Sequence, residues 1–182
     1  KGDLTRDRRV TLIHGQFTRK DQIPLYKKYK IVPSLYTLHT FYFADSHIKN
    51  RGTKEAMYIS PMRDVLNAGI RATNHTDFAV APLDQMFMLH SAVNRTSRSG
   101  ATIGADQRIS PFEALKTMTI NVAYQYGEQS FKGTLTDGKF ADMVILSADP
   151  TKVDRKKIKD IKILETIKEG KTIYTFQKPT AW

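Results

Sequence analysis

The sequence has 182 residues, 40% of them hydrophobic, with no cysteine and a formal charge of +11. This length is enough for one domain with its own core, and the lack of cysteine excludes disulfides and thiolate metal sites. The sequence contains no apolar run long enough to span a membrane, and its charged first nine residues do not form a secretory signal, so we expect a cytoplasmic protein without a membrane partner.

The positive charge raises the alternative of a nucleic-acid-binding domain. Between Thr151 and Lys178, however, lysines and arginines are interleaved with isoleucines. This arrangement is typical of a solvated lysine face on short strands. Zinc-finger spacing and the aromatic-glycine signature of RNA-binding domains are both missing from the sequence. We therefore expect no nucleic-acid partner.

The first predicted strand is Arg9–Ile13, a β-branched and apolar stretch that ends at His14-Gly15. A histidine at the end of a strand is well placed as a ligand, although by chemistry alone such a residue is more often hydrogen-bonded structure. A surface helix should follow over Lys20–Lys30, starting near Gln22 because Pro24 is tolerated only in the first turn.

The second predicted strand, Ile31–Leu35, leads into Tyr36–His47, which is rich in aromatic residues and histidine. We expect this stretch to be a loop whose rings line a substrate pocket, with His39 facing the substrate. The alternative is a loop buried by its own aromatic side chains.

The third predicted strand runs from Ala68 to the polar tip Thr73–Asp77. In an extended strand, residues two apart share one face, so His75 and Asp77 could both point into one pocket. The alternative is a simple turn, where Asn and Asp often bond their own backbone.

Helix signals separate and follow these strands. Ser60-Pro61 predicts a helix start with Ser60 as the N-cap, and Ser110 with Glu113 predicts a capping box. The predicted helices are Ser60–Ala68, Leu83–Thr96 and Ser110–Tyr126, and the predicted later strands are Met143–Leu146, Ile161–Ile167 and Lys171–Phe176.

The chain thus has two predicted parts. Residues 1–128 alternate strand and helix three times, which indicates an α/β fold with a parallel sheet and right-handed crossovers. Residues 129–182 are predicted to be all-β. Tight turns are predicted within Gly133–Leu146, above all at Asp137-Gly138, because glycine adopts positive φ at little cost. We therefore interpret Lys139, which lies in this stretch, as structural.

Three motifs carry a family resemblance: His75-Thr76-Asp77, the helical pattern of Ala114, Thr119 and Ala123, and Gly133–Leu146. Together they resemble the amidohydrolase superfamily, in its family 3 branch, which includes N-substituted formamide deformylases. The resemblance covers about residues 8–176. It implies the C-terminal part of a (β/α)₈ TIM-type barrel, about three βα units, followed by part of a small β-sandwich.

The same resemblance implies a metal-dependent amidohydrolase that cleaves C–N bonds other than peptide bonds in a small-molecule amide-type substrate. His14 and Asp77 would be metal ligands, and Asp77 would also be the catalytic proton carrier. His39 and His75 would bind substrate. The cofactor would be a divalent metal, with zinc favoured and one or two ions in the complete enzyme.

A complete barrel needs roughly 250 residues. The family's other metal ligands, expected on earlier strands, have no counterpart here. We therefore expect an incomplete C-terminal fragment, inactive alone, whose partner is the missing N-terminal part of the enzyme. A homo-oligomer is compatible with this interpretation, and a non-catalytic binding module of the same fold is the main alternative.

Overall fold

Three short parallel strands form the first sheet of the computed structural model, which describes residues 2–177. The strands are β1 (Thr11–His14), β2 (Val32–Leu35) and β3 (Thr73–Asn74), in the order β1-β2-β3. His14 pairs with Leu35, and Leu35 pairs with Asn74, so the three strands end at one level. The prediction of a parallel sheet is therefore confirmed, although β3 is shorter than expected.

Helices cover the sheet and connect its strands. Their bounds are α1 (Ile23–Lys28), α2 (His39–Tyr42), α3 (Ala44–Arg51), α4 (Thr53–Met57), α5 (Met62–Asn67), α6 (Gln85–Asn94), α7 (Pro111–Met118) and α8 (Ile120–Tyr126). Short 3₁₀ turns lie at Lys20–Gln22, Ala105–Gln107 and Arg155–Asp160. Among residues 2–177, no helix is long and apolar enough to cross a bilayer.

The stretch that we predicted as a loop after β2 is helical. The backbone N–H of Tyr42 donates to the carbonyl of Leu38, and that of Phe43 donates to the carbonyl of His39. Aromatic residues have weak helix propensity, so the sequence does not signal these turns. Tertiary packing decides here, because Phe41 and Tyr42 both pack against Phe87 on α6.

Two predicted helix boundaries also differ from the structure. Ser60 is not the cap of α5, since its hydroxyl donates instead to the carbonyl of Tyr36 at 3.0 Å. The predicted helix Ser110–Tyr126 breaks at Thr119, whose φ of −126° and ψ of −94° are not helical. Its hydroxyl donates to the carbonyl of Leu115, a bond that competes with the helical ladder.

The capping box at the start of α7 is confirmed, because Ser110 and Glu113 each accept from the other's backbone N–H. At the other end, Gly127 has a φ of 77° and closes α8. Glu113 also makes a two-pronged ion pair with Arg63 of α5, with both N–O distances 2.7 Å. This pair links the helix before β3 to the helix after α6.

The second sheet is antiparallel and comprises β4 (Met143–Leu146), β5 (Ile163–Lys168) and β6 (Lys171–Thr175), with the predicted hairpin across Glu169-Gly170. Between β4 and β5, Ile158 and Ile161 are buried in the same core as Leu35, Leu89 and Val65. The two sheets therefore share packing, and the domain boundary near residue 128 stays a prediction. Lys139 donates to the carbonyls of Gln129 and Lys132.

Candidate metal centre

Three side chains with metal-binding chemistry meet where the parallel strands end. His14 is the last residue of β1, His75 comes directly after β3, and Asp77 lies two residues further on. The backbone N–H of His75 donates to the carbonyl of Leu35 at 3.1 Å, which extends the sheet pairing to the site. The register of the sheet thus brings together residues 61 and 63 positions apart in the chain.

The distances within this cluster are short. His14 Nδ1 lies 3.0 Å from His75 Nε2, and His14 Nε2 lies 3.6 Å from an Asp77 carboxylate oxygen. One ligand atom from each of the three residues lies within 4.8 Å of the others. Within residues 2–177, this is the one group of at least three His, Asp, Glu or Cys side chains that close together.

The backbone at the cluster adopts conformations that most side chains avoid. His14 has a φ of 67° and Asp77 has a φ of 55°, both in the left-handed region. Gly15 follows with a φ of 49°, and a Cβ there would meet the Leu35 side chain at 2.8 Å. Such residues tend to cluster at functional sites, where the surrounding structure holds them in place.

The hydroxyl of Ser34 orients the imidazole of His75. Ser34, which is buried in β2, has its hydroxyl 3.0 Å from Nδ1 of His75. Histidines that bind metal usually hydrogen-bond through the nitrogen that is not the ligand, and this bond fixes the ring. Burial, followed by the charge of His14, lowers the pKa of His75. Metal binding needs the neutral imidazole, so this environment favours the ligand form.

His39 lies beside the cluster but is not one of its three members. It is 5% exposed, and its ring stands edge-on to that of His14 with the centroids 5.6 Å apart. Its Nδ1 lies 3.1 Å from the hydroxyl of Ser60. Burial, and then the charge of His14, lowers the pKa of His39 to about 3. The ring is therefore neutral at physiological pH.

Tyr36 fills the space between these histidines. Its ring centroid lies 4.5 Å from that of His39, 5.5 Å from that of His75 and 5.9 Å from that of His14. Burial raises the pKa of Tyr36 to about 12, so its hydroxyl stays protonated. In the described part of the chain, this hydroxyl is the one buried side-chain polar group without a hydrogen-bond partner.

Arg95 holds the backbone around Ser60, the residue that contacts His39. Its guanidinium is fully buried and donates to the carbonyls of Ile59, Ser60 and Ile103 at 2.6, 3.0 and 2.7 Å. Among residues 2–177, Arg95 has no carboxylate partner. Instead it holds the turn before α5, where Ser60 has a φ of 48°.

The sequence pointed to the cluster and missed its supporting residues. His14, His75 and Asp77 were recognisable as polar residues at strand ends, and the structure brings all three together. Ser34 and Ser60 were not predicted as parts of the site, whereas Tyr36 belongs to the stretch whose rings we expected to line a pocket. For Ser34 a signal was available, since it lies two residues before Tyr36 and alternate residues of a strand share one face.

Known proteins are similar to this chain in sequence and in fold. A model of the amidohydrolase family matches residues 2–174. The N-substituted formamide deformylase of Arthrobacter pascens is 28% identical over 117 residues, which are 64% of this chain and 22% of that protein. The Arabidopsis thaliana protein LONG AFTER FAR-RED 3 is 30% identical over 172 residues, 93% of this chain and 29% of that protein.

Among solved structures, an uncharacterized metal-dependent hydrolase from Pyrococcus horikoshii OT3 superimposes with a TM-score of 0.69 at 24% identity. The match covers 80% of this chain and 30% of that one. The chain therefore spans less than a third of the length of each of these proteins.

Proposed function

Because the chain belongs to the amidohydrolase family, we propose that it is the C-terminal portion of a metal-dependent amidohydrolase. In this proposal, β1–β3 and their helices are about three βα units of a (β/α)₈ barrel, and β4–β6 are part of a small sandwich. The three parallel strands support this view, because active sites of such barrels lie at the carboxyl ends of the strands. The remaining strands would come from the missing N-terminal part.

The observation that carries the proposal is the cluster of His14, His75 and Asp77 at those strand ends. Two imidazoles and a carboxylate form a donor set that suits zinc. We propose His14 and Asp77 as ligands of a divalent metal, as the sequence suggested. For His75 the sequence suggested substrate binding, and we propose it instead as a third ligand because its Nε2 lies 3.0 Å from Nδ1 of His14. A bound divalent metal supplies Lewis-acid chemistry, lowering the pKa of a water and polarising a carbonyl.

Asp77 is the proposed catalytic residue. Its carboxylate takes a proton from the attacking water while the water oxygen forms a bond to the carbonyl carbon. The C–N bond then breaks, and Asp77 returns the proton to the departing nitrogen, so that amide and water become acid and amine. General acid–base work of this kind contributes roughly 10²–10⁴-fold to a rate. His14 Nε2 lies 3.6 Å from the Asp77 carboxylate, so the two proposed ligands are close enough to share one ion.

The proposed substrate is a small amide-type molecule whose C–N bond is not a peptide bond. A relative named N-substituted formamide deformylase supports this bond class. We propose His39 as a substrate-binding residue and the cytoplasm as the location. A non-catalytic binding module would also bind a ligand, but it would not turn it over.

The test is hydrolysis by the full-length protein, measured with N-formyl amines, N-acyl amines and dipeptides. We expect cleavage of the first two classes, loss of activity with a chelator, and recovery with zinc. His14→Ala should lose both metal and activity, whereas His90→Ala should lose neither, because His90 lies on α6, bonds to Asn94 and is not part of the cluster. Stoichiometric metal without any turnover would favour the binding module.

A further inference from the structure

The hydrogen bonds around His39 determine which of its two ring nitrogens carries the proton. The hydroxyl of Ser60 has a single hydrogen, which it donates to the carbonyl of Tyr36 at 3.0 Å. The same oxygen lies 3.1 Å from Nδ1 of His39. Since the hydroxyl hydrogen is already used, Ser60 can only accept from this nitrogen. Nδ1 of His39 therefore carries the proton, and Nε2 presents a lone pair.

This arrangement is rigidly held. Ser60 is completely buried, and His39 is 5% exposed. The carbonyls of Ile59 and Ser60 both accept from the guanidinium of Arg95, which keeps Ser60 in its left-handed conformation. A rotation of the Ser60 hydroxyl toward His39 would break its bond to the Tyr36 carbonyl, which would then keep only the backbone N–H of His39 as a donor.

The acceptor created in this way lies beside the candidate metal centre. The ring of His39 is edge-on to His14 at a centroid distance of 5.6 Å and packs against Tyr36 at 4.5 Å. A neutral ring with its lone pair at Nε2 can bind a hydrogen-bond donor and cannot bind a carbonyl oxygen. In an amide substrate, the hydrogen-bond donor next to the carbonyl is the N–H group.

We propose that Ser60 fixes His39 as an acceptor for the N–H of the substrate, so that the enzyme selects amides bearing an N–H over N,N-disubstituted amides. This inference rests on the proposed function and names its substrate class. Ser60 is a positioning residue, and His39 contacts the substrate. Sites built to bind a polar substrate group reject analogues that lack it, because their own buried group is then left unpaired.

The experiment has two parts. In the first, ¹⁵N NMR of the full-length protein with labelled histidine, free of metal, reads the tautomer of His39. We expect protonated Nδ1 and bare Nε2 in the wild type, and a mixture of tautomers in Ser60→Ala. This readout does not depend on activity, and a purely structural role for Ser60 would not change it.

In the second part, the zinc-loaded protein is given N-benzylformamide and N-benzyl-N-methylformamide. We expect the wild type to favour the first by at least about 10-fold in kcat/KM, as one hydrogen bond predicts. His39→Leu should reduce that ratio, and His39→Gln, which can place an amide oxygen near Nε2, should restore part of it. Comparing ratios cancels the intrinsic reactivity of the two amides. His90→Leu is the matched control, because His90 lies on α6, bonds to Asn94, stacks on Phe87 and is not part of the cluster.

Protonated Nε2 in the wild type, or an unchanged ratio in His39→Leu, would overturn the proposal while leaving the amidohydrolase function standing. Hydrolysis of neither amide by a protein that holds its zinc would instead count against the proposed function, and the substrate class would fall with it.

Discussion

Asp77 has both a reactive side chain and an unusual backbone conformation, and the two can be separated by one substitution. Its φ of 55° lies in the left-handed region, which Asn adopts as readily as Asp. An Asn side chain keeps the size of Asp but cannot accept a proton at neutral pH or offer a full negative charge. A turn residue should therefore tolerate Asn, whereas a catalytic carboxylate should not.

We expect Asp77→Asn in the full-length protein to lower kcat by about 10²-fold or more without lowering the melting temperature. The matched control is Asp84→Asn, because Asp84 caps α6 by accepting from the N–H of Phe87, a role that Asn fills equally well. Steady-state kinetics and thermal unfolding check both variants. Near-native turnover in Asp77→Asn would mean that this stretch is only a turn.

Among single residues, the sequence indicated the members of the cluster better than their surroundings. His14 stands out because it ends an apolar strand, and Asp77 stands out because it ends the polar tip that follows an apolar stretch. Ser60 was misassigned as a helix cap, since the Ser-Pro pair is the usual sign of a helix start. Its bonds to Tyr36 and His39 join residues 21 and more positions apart, and local patterns carry no information about such contacts.

At the scale of elements, Arg95 links the end of α6 to the turn before α5. Replacing it with Met would leave the buried carbonyls of Ile59 and Ile103 without this donor, while the carbonyl of Ser60 would keep the backbone N–H of Met62. Each unsatisfied buried group costs about 1–3 kcal/mol, so we expect Arg95→Met to lower the free energy of unfolding by at least about 2 kcal/mol. Urea unfolding measures the loss.

The control for Arg95 is Arg19→Met, which removes an exposed arginine paired only with Asp21. Exposed pairs of this kind contribute little, so the control should unfold almost as the wild type does. Equal stability of Arg95→Met and Arg19→Met would show that the buried guanidinium is not needed to hold this turn.

The ion pair between Arg63 and Glu113 leads to a prediction of how the stability of the protein depends on pH. Arg63, with help from Ser110, lowers the pKa of Glu113 from 4.5 to about 2. A depressed carboxyl pKa contributes stability that is fully present above about pH 4.5 and is lost as the pH falls through 2. Glu113→Gln removes the charge and keeps the capping box, because Gln serves equally at this position.

We expect Glu113→Gln to be about 1 kcal/mol less stable than the wild type at pH 7, a modest value because both side chains are partly exposed. The difference should shrink between pH 4.5 and pH 2, where the wild-type carboxylate gains its proton. Urea unfolding at a series of pH values measures it. A difference that does not vary with pH would mean that the charge of Glu113 is not the source of the stabilisation.

Element prediction succeeded where the signal is local and failed where packing decides. The capping box of α7 and the hairpin across Glu169-Gly170 follow from residues close together in the chain. The helix α2 replaces part of a predicted loop because its aromatic residues Phe41 and Tyr42 pack on Phe87, far along the sequence. The break at Thr119 also lies at a long-range contact. Gly133 packs so closely on the next residue that a Cβ there would lie 2.8 Å from Ile120.

At the scale of the whole molecule, the candidate metal centre is open to solvent. The cluster of His14, His75 and Asp77 offers three ligands, but the side chains of His14 and Asp77 remain 40% and 31% exposed. The chain also spans only 22% and 29% of the two relatives compared above. The proposed barrel closes around the site only when the missing strands are present.

We therefore expect the isolated 182-residue chain to retain well under one zinc per chain after dialysis and to hydrolyse no amide. Three partly exposed ligands hold zinc less firmly than the closed four-ligand sites of structural zinc proteins. Elemental analysis gives the stoichiometry, and titration with zinc should reveal a weak site that His14→Ala removes and His90→Ala keeps. A weak site that survives His14→Ala would place the metal elsewhere. One zinc per chain that survives dialysis, together with turnover, would contradict the fragment proposal, because the three ligands would then be sufficient without the rest of a barrel.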